Sequence, residues 1–529
     1  MISPKLNHAF PILVGVLFFL RGLQLQCVYP PLEGPDEYQH IAYIVYILEE
    51  NKIPEFGKAM VPKSLYPCLL ANPHCTYDWE QTREIGCLRY EDFYDQQPHL
   101  IGNPDILLYQ AQHLPFYYIL VSPVFSWVSG SFGFREAVYT LRIINIFLAS
   151  VAIVFLISPI KHIFQDQKSM RLSMLAVSMV PMFMTYVSRV TNDALALTFA
   201  GIAVYLLTRI ANNRRLIMKA ALIGGMIGLG VLTKLIVFCL LPASLVFLAY
   251  LSGAHKIPIR KAVICSLAII GCYFILTHRY HFQSYATFHT AFPSADTMKN
   301  AATDKTFLDV IAQIRFEHIK NYFVKWLIVG NLWTSGWSFL LPHRMFLYIY
   351  ARILALSLFG LVPIIIPAFR HLLQIKLRLQ PNLVLCGLIV IFSFAAAYIQ
   401  TLKSILAYGQ IATVSYYVML GYPAFLICVL AAAQGYGKTG VSISATALIV
   451  LFLTTEYHSV LGIAIRHWAD SKNLQEIFQR LASVHPAFLR PEFFFPLAAI
   501  VCSLTLLLII VAILLRDQVE NDIFFKNFK

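Results

Sequence analysis

The sequence predicts an all-α polytopic membrane protein, and its composition and hydropathy carry that prediction. Of its 529 residues, 58% are hydrophobic and only 13% are charged, whereas a soluble domain carries about a quarter charged residues. The mean hydropathy is +0.66. The formal net charge of +14 lies mainly in short connections between apolar segments, where basic residues set orientation in a membrane. We therefore expect membrane lipids, and no nucleic acid, as partners.

Twelve segments are long and apolar enough to be spanning helices, which need about 20 mostly apolar residues. The first contains Arg21, which needs a partner or water inside a membrane, and lacks a small-residue cleavage site, so we expect a retained anchor. Two further segments, 114–130 and 322–341, are interrupted by prolines or polar residues. The twelve lie at 8–27, 136–158, 172–188, 193–209, 217–231, 235–252, 262–277, 345–368, 382–401, 410–433, 441–457 and 493–515.

Basic residues predict the orientation of these spans, because positive charge collects in cytoplasmic connections. Ten of them lie in the connections at 161–171, 209–219 and 255–261. These ten face the cytoplasm only if the two interrupted segments stay at the outer leaflet. We therefore predict twelve spans with both termini in the cytoplasm.

That topology gives the chain a long extracytoplasmic first loop and two shorter outer loops. The first loop holds thirteen of the chain's 27 acidic residues, and loops of this length usually carry function or a small fold of their own. Its cysteines, Cys68, Cys75 and Cys87, allow one disulfide whose pairing the sequence does not decide, and we do not expect them to bind a metal. The predicted parts are 1–27 (first helix), 28–135 (first loop, with surface helices and an acidic site), 136–277 (helices 2–7), 278–344 (second loop), 345–457 (helices 8–11), 458–492 (third loop) and 493–529 (last helix and tail).

An acidic site is predicted where the first loop begins, in the stretch GPDEYQHIAYI at 34–44. Asp36 and Glu37 are adjacent carboxylates, His40 follows one turn later, and an apolar helical pattern starts at once. A carboxylate beside a lipid-facing groove can deprotonate a hydroxyl or an amine, or hold a metal ion or a cationic substrate. The alternative is that the two acids only complement a helix N-terminus.

The order of short motifs resembles that of the GT-C superfamily, polytopic glycosyltransferases that use lipid-linked sugar donors at the outer face. Protein O-mannosyltransferases and the aminoarabinose transferase of lipid A belong to it. The resemblance departs at Leu114 and at 414–417, where a QGRY-like segment lacks its arginine. The matching motifs are the acidic pair Asp36–Glu37, extended by Pro35 and His40 to the P-x-DE-x-x-H of an uncharacterised bacterial branch, the HPPLYY-like 113–118, the ND of Asn192–Asp193, the GLxxLTK of 228–234 and the aromatic–glycine run 333–337.

The resemblance implies transfer of a sugar from a polyprenyl-phosphate donor to a glycan, lipid or protein acceptor, with inversion, at the outer face of the membrane. The predicted outer loops contain no Asn-x-Ser/Thr sequon, which favours a bacterial inner membrane over a membrane of the secretory pathway. Asp36 would be the general base, Glu37 and His40 would orient it or bind the acceptor, and Asp193 would be a second acid. The alternative for Asp193 is a helix N-cap shared with Asn192. No cofactor is implied with certainty, and a divalent cation stays open.

Four more residues are predicted to bind substrate. Lys234 and Arg189 would hold the donor phosphate as the glycosidic bond breaks, although Lys234 is also placed to extend to the membrane interface. His113 and Tyr117, in the HPPLYY-like segment, complete the set. Two other classes stay open: a transporter or lipid flippase, which should carry its essential charges near mid-membrane, and an inactive scaffold that retains the fold.

Overall fold

The computed structural model describes most of the chain as helix, and in the described residues there is no strand, only an isolated antiparallel bridge between Met60 and Leu107. The predicted all-α class is confirmed. The three first-loop cysteines, Pro35 and Val414 lie outside the described residues. The structure describes residues 5–34, 36–66, 105–211, 215–290, 330–333, 340–362, 366, 380–408, 415–469 and 471–514.

The described residues form seventeen α-helices of five or more residues, and most are built from the apolar segments that the sequence displays. They are α1 (Lys5–Gln26), α2 (Glu37–Glu50), α3 (Phe116–Phe132), α4 (Phe134–Leu156), α5 (Gln167–Ser178), α6 (Pro181–Val187), α7 (Asp193–Thr208), α8 (Leu216–Thr233), α9 (Leu240–Gly253), α10 (Ile259–Phe288), α11 (Arg344–Phe359), α12 (Pro381–Tyr408), α13 (Tyr422–Ala432), α14 (Gly437–Ser459), α15 (Ile465–Ala469), α16 (Leu474–Val484) and α17 (Phe494–Leu514).

Eight helical segments of the described chain are long and apolar enough to cross a membrane, or nine if the bent pair α5–α6 forms one span. The chain is therefore an integral multi-pass membrane protein. The number twelve stays a prediction, because α7 and α11 are helices of only 16 residues and α13 has 11. The interrupted segment at 114–130 forms α3, a helix of 17 residues.

Helix α4 lies at the centre of the N-terminal half, where it packs against α1, α3 and α7. From α7 the packing continues through α8 to α10, while α1 also contacts α17 and α5 packs against α14. This arrangement brings the ends of α1, α4, α7 and α8 close to one another. The candidate site forms at those ends.

A cluster of buried apolar side chains, separate from the main core, packs α2 against α3. Ile41 and Ile44 of α2 are buried in it, and Tyr43 stacks on Tyr118 of α3 with 3.8 Å between ring centroids. Leu48, farther along the same stripe, is 39% exposed. The apolar stripe therefore anchors the N-terminal half of α2, which is the half that carries the acidic site.

The partner that Arg21 needs is Glu456 of α14. The two side chains form a bidentate ion pair at 2.7 and 2.5 Å, and both are buried. Arg21 also donates to the carbonyl of Ser178 at 3.3 Å, the last residue of α5, just before Pro181 starts a new helix bent by 43°. Because a proline cannot continue the helical hydrogen bonds, the break exposes carbonyls, and Arg21 satisfies one of them.

Candidate functional site

Four pieces of chain that are distant in sequence meet at one small polar pocket. They are the start of α2, the turn before α3, the segment between α6 and α7, and the end of α8. The pocket has a volume of about 20 Å³, enough for about one water molecule. Its lining consists of Asp36, His40, Gln110, His113, Tyr186, Arg189, Thr191, Asp193 and Lys234.

Asp36 lies at the N-cap position of α2 but its side chain makes no capping hydrogen bond, and its backbone is in the left-handed region at φ 61°, a conformation that Asp and Asn tolerate better than most residues. Its Oδ1 accepts a hydrogen bond from the Tyr109 hydroxyl at 2.5 Å. Burial raises the pKa of Asp36, and the Tyr109 hydrogen bond and the charge of Lys234 oppose that rise. Asp36 is thus a carboxylate held in a poorly solvated place.

Glu37, by contrast, is fully buried and points to Arg142 of α4. Arg142 holds both carboxylate oxygens, at 2.8 and 2.6 Å, and the Val190 amide donates to one of them at 2.8 Å. Burial alone would raise the pKa of Glu37, but the charge and hydrogen bonds of Arg142 outweigh it and lower the pKa. Glu37, predicted to be catalytic, therefore does not line the pocket and joins α2 to α4.

Arg189 is also engaged in an ion pair. It pairs with Glu33 and lies 3.9 Å from the ring centroid of Tyr29. A Cβ on Gly34 would come within 2.6 Å of the Arg189 Cγ, so this position needs glycine for the close approach. Arg189 lines the pocket with its charge already shared with Glu33.

Asp193 and Lys234 form an ion pair at 2.6 Å, although 41 residues separate them. The Thr191 hydroxyl donates to the second Asp193 oxygen at 2.7 Å. Asn192 makes no capping bond and donates instead to the Thr233 carbonyl at 2.8 Å. In this geometry the Asp193 carboxylate binds Lys234 and Thr191, while Asn192 fastens α7 to the end of α8.

Neutral aromatic groups form the wall of the pocket beside Asp36. His40 lies 2.8 Å from the Tyr118 hydroxyl, and its ring is nearly parallel to that of His113, 6.1 Å away. Burial lowers the pKa of His40 well below its usual value and that of His113 to about 3, the charge of Lys234 adding to both effects. Both imidazoles are therefore neutral at pH 7 and available as hydrogen-bonding groups.

Tyr117 is buried away from the pocket. Its hydroxyl donates to the Asn145 side chain at 3.1 Å, and Asn145 donates in turn to the carbonyls of Arg189 and Thr191 at 2.6 and 3.0 Å. Tyr117 thus contributes to holding the segment before α7. It supports the lining without belonging to it.

Of the eight predicted site residues, six line the pocket, and the two that do not are Glu37 and Tyr117. Sequence reasoning missed Tyr109, Gln110, Thr191 and Tyr186 at the site and both buried partners, Glu33 and Arg142. Tyr109 and Gln110 lie four and three residues before His113, where the HPPLYY-like segment begins, and this proximity was the available signal. Among the described residues, no group of three or more His, Cys, Asp or Glu is arranged to hold a metal ion.

One family model matches part of this chain. Residues 120–281 match the family model described as dolichyl-phosphate-mannose-protein mannosyltransferase. No curated protein sequence matches the chain.

Two solved membrane enzymes are similar at low identity. ArnT from Cupriavidus metallidurans, bound to undecaprenyl phosphate, is 12% identical over 96% of this chain and 78% of its own, with a TM-score of 0.41. The oligosaccharyltransferase from Archaeoglobus fulgidus, in complex with zinc and sulfate, is 14% identical over 89% of this chain, with a TM-score of 0.41. The chain spans 57% of that enzyme's length. The family match confirms the resemblance to the membrane glycosyltransferases of the GT-C superfamily.

Proposed function

We propose that this protein transfers a sugar from a polyprenyl-phosphate donor to an acceptor on the extracytoplasmic face of a bacterial inner membrane, with inversion at the anomeric carbon. The observation that carries the proposal is the pairing of charges around the pocket, which leaves one carboxylate, Asp36, without an ion-pair partner among the residues that the structure describes. The family description names a lipid-phosphate-linked sugar and supports that class of donor.

Four carboxylates lie at or beside the pocket, and three of them have a cation. Glu33 pairs with Arg189, Glu37 with Arg142 and Asp193 with Lys234. Asp36, within the described residues, has hydrogen bonds but no ion pair. A partly desolvated carboxylate with a raised pKa suits proton abstraction, so we assign Asp36 as the general base.

In the proposed step, the Asp36 carboxylate takes the proton from an acceptor hydroxyl as the acceptor oxygen bonds to the anomeric carbon. The bond from that carbon to the donor phosphate oxygen breaks, and the lipid phosphate leaves with the electron pair. The pocket has room for about one water, so the sugar ring would lie at its mouth. A single displacement of this kind inverts the anomeric configuration.

Lys234 is the cation best placed to stabilise the leaving phosphate. It is buried, it lines the pocket, and Asp193 fixes its position at 2.6 Å. A cation held in a water-poor site stabilises developing negative charge more than one in bulk water. Arg189 would contribute less, because its guanidinium is held by the Tyr29 ring as well as by Glu33.

The other predicted residues take supporting roles in this proposal. Glu37 is a positioning residue. It is the neighbour of Asp36 in the chain, and its bonds to Arg142 and to the Val190 amide fix the start of α2 and the segment before Asp193. His40 and His113 would offer their neutral imidazoles to hydroxyl groups of the sugar or acceptor.

The proposal is tested by turnover of a panel of radiolabelled polyprenyl-phosphate sugars, with fractions of bacterial envelope lipid, glycan and peptide as acceptors. Asp36→Asn is the informative variant, because Asn tolerates the same left-handed backbone and removes only the base. The matched control is Asp105→Asn, whose carboxylate is 70% exposed in the same loop.

We expect turnover by the wild type and by Asp105→Asn, and a loss of about 10²–10⁴-fold in Asp36→Asn. Undiminished turnover in Asp36→Asn would refute its assignment as the base. A wild type that turns over no donor of the panel would refute the donor class.

A further inference from the structure

A second cavity, of about 200 Å³, lies at the end of the helices opposite the candidate site. Helix α7 begins at Asp193 in the site and ends beside Arg209 in this cavity, about 24 Å away for 16 residues. We call this second cavity the basic pocket. Its lining consists of Pro11, Ile12, Val154, Phe155, Ile157, Ser158, Lys161, His162, Met174, Tyr205, Thr208 and Arg209.

The polar part of the basic pocket carries positive charge and no carboxylate. Lys161 and Arg209 make no ion pair within the described residues, and the charge of Arg209 acts directly on Lys161 and on His162. The nearby Lys219 donates to the Arg209 carbonyl at 2.8 Å. Like charges so close repel one another, and an anion between them would relieve that repulsion.

The acid closest in sequence does not supply this anion. Asp166 follows Lys161 by five residues, but one of its oxygens caps α5, accepting from the Ser169 amide at 2.8 Å and from its hydroxyl at 2.6 Å. The cations of the basic pocket are therefore left to bind a group from outside the described chain.

The remaining wall of the basic pocket is apolar and opens toward the lipid-facing surface. Ile12 of α1 is 61% exposed, and the same surface continues along α1 and α4 through Val16 and Phe147, which are 45% and 57% exposed. A Cβ on Gly15 would lie 2.7 Å from the Val154 side chain, so α1 and α4 touch at the floor of this surface. A hydrocarbon chain that lies along this surface would bury its apolar side chains, whereas a free ion bound in the pocket would leave them exposed.

We propose that the basic pocket binds the phosphate group of an anionic phospholipid, with one acyl chain along the surface between α1 and α4. The cavity has about ten times the volume of the candidate site and room for about ten waters, which suits the phosphate but not the whole lipid. The basic connections that the positive-inside rule assigns to the cytoplasm meet here, and the cytoplasmic leaflet is where anionic lipids attract such residues. The inference does not depend on the proposed transferase activity.

The test is native mass spectrometry of the full-length protein in detergent, titrated with phosphatidylglycerol, with phosphatidylcholine and with inorganic phosphate as a competitor. The variant Lys161→Gln/Arg209→Gln removes both charges and keeps side chains of similar polarity. The matched control is Lys256→Gln, which removes one exposed charge from a neighbouring connection on the same side.

We expect phosphatidylglycerol to bind more tightly than phosphatidylcholine, and each pocket charge removed to weaken it about fivefold, with no change in Lys256→Gln. Equal binding of the two lipids, or a double variant that matches Lys256→Gln, would overturn the proposal. Displacement of the lipid by equimolar inorganic phosphate would overturn the assignment to a lipid. If the double variant does not fold, the salt dependence of the wild type decides: affinity should fall as sodium chloride rises, and unchanged affinity overturns the proposal.

Discussion

Replacing Arg142 by Met should destabilise the protein more than any other single change near the pocket. The guanidinium donates five hydrogen bonds from the middle of α4. Two go to Glu37, at 2.8 and 2.6 Å, and the others go to the Gln26 side chain at 3.1 Å, the Tyr29 carbonyl at 3.0 Å and the Pro30 carbonyl at 2.8 Å. Arg142 thus joins the end of α1 to the start of α2.

The expected loss in the free energy of unfolding follows from the groups that Arg142→Met leaves without their hydrogen-bond donor. Glu37 would stay buried with its charge uncompensated, which costs about 3–5 kcal/mol. Three further acceptors would lose a charged donor, at about 1 kcal/mol each when the chain relaxes around them. Since neighbouring effects do not add fully, we expect a loss of at least about 4 kcal/mol in the free energy of unfolding.

The assay is unfolding of the purified protein from detergent micelles into a denaturing detergent, followed by circular dichroism. Arg135→Met is the control, because Arg135 is on the same helix, only half-buried, and makes one bond of 3.5 Å. The double variant Glu37→Met/Arg142→Met should recover the part of the loss that comes from the unpaired Glu37 charge, because an apolar pair often replaces a buried ion pair at little cost. The reasoning is refuted if Arg142→Met falls within 1 kcal/mol of Arg135→Met, or if the double variant is less stable than Arg142→Met.

Two further predictions concern the pocket itself. Tyr109→Phe removes a hydrogen bond that lowers the pKa of Asp36, so that pKa should rise. Because the base acts as a carboxylate, activity is lost as pH falls through its pKa, and the acid limb of kcat/KM should move to higher pH. Gly34→Ala places a Cβ against the buried Arg189 and should lower stability by about 1–3 kcal/mol, measured as above.

Each of these has a control within the chain. Tyr66→Phe removes a hydroxyl elsewhere in the first loop and should leave the acid limb unchanged, whereas an unmoved limb in Tyr109→Phe would contradict the link to Asp36. Gly225→Ala meets nothing within 4 Å and should not destabilise its helix. Equal effects of the two alanine substitutions would contradict the close approach at Gly34.

The sequence could predict the helices from local apolar runs, and most of the pocket because its residues stand in motifs that resemble those of the GT-C superfamily. Apolar runs of sufficient length set the helices, and basic connections placed Asp36, Asp193 and Lys234 on the same side of the membrane. The structure brings these three into one pocket. Tyr117 was assigned by motif alone, and its buried bond to Asn145 has no local signature.

The ion-pair partners could not be predicted, because they depend on which helices pack together. Arg142 follows Glu37 by 105 residues, and Glu456 follows Arg21 by 435. Hydropathy within one helix does not specify its neighbours, so a buried charge signals the need for a partner without identifying it. The break at Pro181 is different, because the proline is itself a local signal even though hydropathy alone indicates a continuous apolar segment there.

The ion pairs also distinguish Asp36, which the resemblance implies as the general base, from the three other acids at or beside the pocket. Glu33, Glu37 and Asp193 each lie against a buried cation, and removing a proton from an acceptor would require any of them to give up that pair. Asp36 has no such pair among the described residues, so taking a proton breaks no ion pair there. With three cations set against four carboxylates, the group carries one net negative charge, and a donor phosphate adds another. Lys234 would then interact with both the Asp193 carboxylate and the donor phosphate. As its interaction with Asp193 weakens, Lys234 can stabilise the negative charge on the leaving phosphate in the proposed reaction.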